Sequence, residues 1–246
     1  DVYNDKPEDQ IDAFSAPIPG HIVQKENGEK MVAWIPFDKS RTSYKRCPAL
    51  ILDAAKRVIP RDLERYPYLA RFLDVTSAEG LYECYHPDHP ISRLEKRRHS
   101  EDIFAYFGNW QPGNLNLVAG GEQGKWWCAP YLHYLEGMQS GGYYSWPAGH
   151  LRRPKTKEDD ARGTGRPTKR FYTHYEVYGI GTRRVPLWDL VFHDCISSTW
   201  YWGDTNDFLI EAAPEVTPRK DALNVLLASM STFWVNKGTW KHDRSS

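Results

Sequence analysis

Two acidic residues occupy matching places in a repeated local pattern. Asp74 follows the apolar run in Leu69–Val75 and is succeeded by small residues, and Glu122 follows the apolar run Leu115–Ala119 and two glycines. Each reads as a buried strand delivering one carboxylate at its C-terminal end. Two such groups on neighbouring strands can divide labour, one attacking or stabilising an electron-poor carbon while the other moves a proton. Hydrolysis of a glycosidic bond needs that division. Most glycosidases meet it with two carboxyl groups, about 5–5.5 Å apart when configuration is retained and about 6.5–9.5 Å when it is inverted. Asp74 emerges straight after Phe72-Leu73 with little freedom, as suits a nucleophile. Glu122 precedes Trp126 and Trp127, rings that can stack on a sugar and exclude water, which raises a carboxyl pKa toward that of a general acid.

The elements that must position these groups follow from periodicity and breakers. Apolar strand candidates are Lys30–Phe37, Leu69–Val75, Leu115–Ala119 and Val185–His193. Helical spacing covers Pro48–Val58, Ile91–Phe107 (with Ser92 as its cap) and Asp221–Trp234, the last with an apolar face of Ala222, Leu223, Val225, Leu226, Leu227 and Met230. Trp126–Met138 reads as loop turning into a helical turn. Residues 1–29 form an irregular lead-in broken by prolines, and about 141–184 is a long loop rich in Gly, Pro, Lys, Arg and Tyr, the kind that serves as a lid or binding excursion. Strands alternating with helices indicate an α/β chain with a parallel sheet. The chemistry then belongs at the C-terminal ends of the strands, as in a (β/α)8 TIM barrel. Four strands of eight make residues 1–246 one catalytic-domain portion, the C-terminal part of a barrel whose other strands come from an N-terminal segment of the same protein.

Composition narrows the partners. Lys plus Arg and Asp plus Glu number 32 each, so the chain has no overall attraction for polyanions and no nucleic-acid partner is expected. Ten Trp, 15 Tyr and 9 Phe favour surfaces that hold flat amphipathic rings such as sugars. Cys47, Cys84, Cys128 and Cys195 lack CxxC spacing, and read as free thiols rather than a zinc site or disulfide framework. No apolar run is long enough to span a membrane.

The segments FLDVTSAEGLYECYHPDHP, LVAGGEQG and RVPLWDLVFHDCISSTWYWGD resemble the catalytic barrels of endo-α-N-acetylgalactosaminidases and related α-N-acetylgalactosaminidases, over roughly residues 30 to 210. Those enzymes retain configuration, with an Asp after one barrel strand as nucleophile and a Glu after a following strand as acid/base. The resemblance therefore implies Asp74 as nucleophile and Glu122 as acid/base. It also implies that His193 and Asp194 end a late barrel strand lining the sugar pocket. Asp38, at the end of the first strand, faces the same rim if that strand joins the same sheet. Glu83, Tyr85, Trp126 and Trp127 complete the substrate-binding candidates. The expected protein is a glycosidase acting on an α-linked glycan, secreted or periplasmic, with no organic cofactor and no catalytic metal. A structural calcium is the one ion this reading admits.

Two other readings stay open. A metal-dependent hydrolase would use the cluster His86, Asp88 and His89, with His193-Asp194 completing the shell. A carbohydrate-binding protein without catalysis would use Trp126, Trp127, Trp146, Trp200, Tyr201 and Trp202 as stacking surfaces.

Overall fold

The computed structural model describes residues 3–4, 19–34, 42–138, 152–153, 166–167, 185–199 and 214–231. They belong to two compact units, Asp1–His133 and Tyr134–Ser246.

In the first unit, β1 (Tyr3–Asn4), β2 (Val32–Trp34) and β3 (Ser43–Lys45) form an antiparallel sheet in the order β1-β3-β2. The strand read over Lys30–Phe37 thus exists in part, but it pairs antiparallel with β3. The premise that it shares a parallel sheet with the carboxylate-bearing strands does not hold. Only eight residues separate β2 from β3, a connection suited to an antiparallel return and shorter than the dozen or so residues a parallel crossover needs.

Helix α1 (Pro48–Arg65) begins with Pro at its first turn, where a missing N–H costs nothing, and ends with Arg65 against the negative end of the helix dipole. It runs through Pro60, past the end at Val58 that the sequence suggested. Strand β4 (Ala70–Leu73) follows, then α2 (Arg93–Gly108). A capping box fixes the start of α2. The Ser92 hydroxyl accepts from the Glu95 amide at 3.3 Å, and the Glu95 carboxylate accepts from the Ser92 amide at 2.7 Å. Lys96, Ser100, Ile103, Phe104 and Phe107 are buried along one helical face, and Tyr106 and Gly108 are buried as well at its C-terminal end. Gly108 ends the helix where a β-carbon would stand 2.8 Å from that of Ala119, so only glycine lets α2 meet strand β5 this closely.

Strand β5 (Val118–Glu122) pairs parallel with β4, completing a β–α–β unit. It starts three residues later than the run Leu115–Ala119, because Leu115 and Leu117 give their amides to the carbonyls of Tyr106 and Phe107 at the end of α2. A 3-10 turn (Trp126–Cys128) follows; the stretch Trp126–Met138, read as loop becoming a helical turn, instead opens with this turn and goes on to a strand at Tyr134–Glu136. Cys47, Cys84 and Cys128 are buried and free, while Cys195 is exposed. Burial pushes the Cys47 thiol up to about 12 and that of Cys128 up to about 11.

The second unit contains β6 (Tyr134–Glu136), a short antiparallel pair β7 (Arg152–Arg153) and β8 (Arg166–Pro167), α3 (Leu187–Phe192), β9 (Ser197–Ser198), a 3-10 turn (Pro214–Val216) and α4 (Thr217–Leu226). Strands β6 and β9 are parallel, with Tyr134 opposite Ser197 and Leu135 opposite Ser198. The chain is therefore α/β with parallel strand pairing in both units. Two expectations fail here. Val185–His193 is a helix, not a strand: an apolar run of this length has no decisive period, and Pro186 sits where a helix starts. The helix expected at Asp221–Trp234 instead spans Thr217–Leu226, burying Thr217, Lys220 and Asn224 while Val225 and Leu226 are exposed. The apolar face predicted for it is not its packed face.

A buried ion cluster crosses the first unit. Glu79, just after β4, accepts Lys45 of β3 at 2.8 Å and lies 3.0 Å from Lys96 of α2. Side-chain exposure is 0% for Lys96 and 4% for Glu79. Burial lowers the Lys96 pKa, and the Glu79 charge works against that shift. The Tyr82 hydroxyl donates at 3.1 Å to Oε1 of Glu79, the oxygen that also faces Lys96, and its ring lies under both ammonium groups. Glu79→Ala strands the buried Lys96 cation and unpairs the half-buried Lys45. Chemical denaturation of the whole chain is expected to show a loss of about 3–5 kcal/mol, with the double variant Glu79→Leu, Lys96→Met recovering most of it.

Candidate active site

The register of β4 on β5 sets the geometry. Ala70, Arg71, Phe72 and Leu73 stand opposite Val118, Ala119, Gly120 and Gly121. One step further along both strands come Asp74 and Glu122. Neighbouring strands lie about 4.8 Å apart, so the two residues leave the sheet side by side at its C-terminal edge. Both are partly exposed.

The backbone just beyond each carboxylate is unusual. Val75 has φ 64° and Gln123 has φ 47°, left-handed conformations that cost a β-branched residue such as valine about 1–2 kcal/mol. The chain turns away from the sheet directly after Asp74 and directly after Glu122. Hydrogen bonds hold both turns in place. The Val75 amide donates to Oε2 of Glu122 at 3.1 Å, so the Glu122 side chain bends onto the turn that carries Asp74. The Ser77 hydroxyl donates to the Glu122 carbonyl at 2.8 Å, and the Thr76 amide donates to the Asp74 carbonyl at 2.7 Å. Lys125 reaches the Ala78 carbonyl at 3.2 Å. Gly121 is required for this fit, since a β-carbon there would stand 2.3 Å from the Ser77 oxygen.

The remaining candidates separate. Trp126 is 63% exposed, with the Arg97 guanidinium 4.6 Å over its ring, whereas Trp127 is 5% exposed and stacks on Phe104 inside the unit. Of the two rings, Trp126 keeps a surface for a ligand. The Tyr85 hydroxyl donates to Glu83 at 2.7 Å on the exposed loop after β4, and that bond raises the phenol pKa. His193 and Asp194 follow helix α3 in the second unit, not a strand. The His193 Nδ1 lies 2.7 Å from the Asp189 carbonyl, and Asp194 accepts from the Cys195 thiol at 3.3 Å. Asp38 lies outside the described residues, as do Trp146, Trp200, Tyr201 and Trp202. The metal reading is corrected as well. Among the described residues, His86 and Asp88 do not join His89 in a ligating group; the donors that meet are His89, Cys47 and Cys84. Two prolines flank Asp88 and hold it at the surface.

Sequence reasoning passed over Ser77, Glu79 and Lys96. Lys96 carried a signal, a charge in register with the buried positions Ser100, Ile103 and Phe107 of α2, and such a residue must find a buried partner.

The sequence matches the family of glycosyl hydrolases related to GH101, GH129, over residues 20–217. Among solved structures it is similar to the α-N-acetylgalactosaminidase NagBb from Bifidobacterium bifidum. The ligand-free form is 20% identical with a TM-score of 0.48, covering 74% of this chain and 24% of that one. The complex with GalNAc gives 20% and 0.49 over the same shares, and the complex with Gal-NHAc-DNJ gives 21% and 0.49, covering 74% and 23%. The chain thus spans about a quarter of the length of these relatives. The search among curated proteins returned no match.

Gly121→Ala is expected to cost about 1–3 kcal/mol through overpacking against Ser77. Pairing it with Ser77→Gly should restore part of that loss in thermal denaturation; no recovery would show that the Gly121–Ser77 contact does not set the turn.

Proposed function

The chain belongs to the GH129 family of glycosyl hydrolases related to GH101, and from that premise we propose that it carries the carboxylate pair of a retaining glycosidase for α-linked N-acetylgalactosamine. One observation carries the reading: Asp74 and Glu122 follow each other across two parallel strands, with the Glu122 carboxylate 3.1 Å from the amide next to Asp74. That contact brings the Glu122 carboxylate onto the turn that carries Asp74, which supports two carboxyl groups working on one glycosidic bond.

Asp74 attacks the anomeric carbon and forms a glycosyl ester. Glu122 gives its proton to the departing oxygen, then takes one from the water that breaks the ester. The Val75 amide steadies Glu122 when it is ionised, in the second half of the cycle. Trp126 offers its open face to a sugar ring, and Glu83 and Tyr85 are proposed to hold hydroxyl or acetamido groups. The double displacement needs no organic cofactor. The parallel β4–α2–β5 unit, with both carboxylates at the C-terminal edge, supports a (β/α)8 barrel as the complete architecture. Further strands from the same protein are part of that proposal.

The test uses the full-length protein and an aryl α-N-acetylgalactosaminide, with the anomer of the released sugar followed by NMR. The α-anomer should appear first. Glu122→Gln is expected to lower kcat for substrates with poor leaving groups by about 10²–10⁴-fold, and azide should rescue it by yielding an α-glycosyl azide. Asp74→Asn should abolish turnover while leaving the circular dichroism spectrum unchanged. First release of the β-anomer would replace retention by inversion. Full activity in both variants would place the catalysis on other residues, and sugar binding by the native protein without any turnover would make it a carbohydrate-binding protein.

A further inference from the structure

The catalytic reading leaves a second cluster unused. Cys47 ends the segment before α1, while Cys84 and His89 stand on a ribbon closed by paired bonds between Cys84 and Ile91 at 2.9 and 3.0 Å. One donor atom from each of the three residues lies within 4.8 Å of the others, and all three residues are buried. The Cys84 sulfur is 3.5 Å from Nδ1 of His89. A tetrahedral ion with metal–sulfur bonds of about 2.3 Å and metal–nitrogen bonds of about 2.0–2.1 Å sets its sulfur and nitrogen ligands about 3.6 Å apart.

The orientation of the imidazole is the second, independent observation. Nε2 of His89 lies 2.7 Å from the Gly20 carbonyl oxygen, which can only accept. The ring proton therefore sits on Nε2, and the bare lone pair of Nδ1 faces the sulfurs. Metal-ligating histidines are held in this way, with the outer N–H on a carbonyl or carboxylate. The His89 ring is further fixed by stacking on His86, with centroids 4.0 Å apart and planes 3° from parallel. The surroundings are apolar: Val23 and Ile91 pack into the same cluster, with Met31, Ala49 and Tyr82 around it. Two thiolates cancel a divalent charge, so the loaded site is neutral in this apolar shell.

We propose that Cys47, Cys84 and His89 bind a thiophilic d10 cation, zinc(II) before copper(I), that staples the start of α1 to the ribbon of residues 84–91. Sulfur and imidazole donors select such ions, and copper(I) also accepts three ligands. Binding releases the two thiol protons to solvent, and no redox step is involved. The ribbon adjoins Glu83 and Tyr85, so the ion fixes a loop beside the proposed sugar site without entering its chemistry.

The full chain, reduced, loaded with zinc and desalted, is expected to hold about one zinc per chain by native mass spectrometry. Cobalt(II) in its place should show the thiolate charge-transfer band in the near ultraviolet. Cys84→Ser and His89→Ala should lose the ion, while Cys128→Ser keeps it. A chelator should lower the Tm of the native sequence and leave that of Cys84→Ser unchanged, which separates ion loss from a folding defect. A copper(I) arm, titrated against a bathocuproine competitor, decides between the two ions, and tighter binding of either upholds the site. Reduced, natively folded protein that takes up neither zinc, cobalt nor copper(I) overturns the proposal, as does charge-transfer intensity that survives Cys84→Ser.

Discussion

The buried carboxylate of Glu79 is the point at which three parts of the first unit meet. Lys45 arrives from the antiparallel sheet, Lys96 from the inner face of α2, and Glu79 itself from the turn that carries Asp74. Glu79 and Lys96 are buried and Lys45 is half-buried, and burying the first two is tolerable only while both are present. The consequence is cooperative placement. The turn after β4 cannot move without leaving an ammonium group unpaired in the core, so the interaction that locks the helix to the sheet also locks the position of the carboxylate proposed to attack the sugar.

Around that lock, Gly108 and Gly121 remove the β-carbons that would keep α2 from β5 and Ser77 from β5. The left-handed Val75 and Gln123 end the strands abruptly. Local strain of this kind persists only where neighbouring contacts over-determine the backbone. Here the determinants are visible: the Glu122 carboxylate on the Val75 amide, Ser77 on the Glu122 carbonyl, and the bonds of residues 76 to 79 back to Asp74 and Val75.

The carboxylate pair was legible because an apolar run followed by a lone acidic residue is a strong local signal, and two such runs bracket a helix with an evident cap at Ser92. The strand ends themselves were less legible. Glu122 is the last residue of β5, not a residue beyond it, because the start of that strand is set by hydrogen bonds to α2 that no window of sequence contains. Val185–His193 failed for a related reason: a short, mostly apolar run satisfies strand and helix equally, and the choice is made by packing. The thiol–imidazole cluster escaped because its members are brought together by folding and not by spacing. Cys47 and His89 are far apart along the chain, and only the Gly20 carbonyl reveals which way the imidazole points.

Side chains along a strand alternate between the two faces of the sheet. The two carboxylates share an edge only because β4 and β5 each have the length they have, from Ala70 and from Val118. Adding or removing one residue within either strand would send its carboxylate toward the helices and its apolar neighbour toward solvent. Variation in this part of the chain is therefore confined to exchange of one side chain for another. Insertions and deletions must fall in the connections, where a change in length shifts no face. Natural or laboratory diversification of this protein has its freedom in those connections, and the strand lengths are the part of the inheritance that must be copied without miscounting.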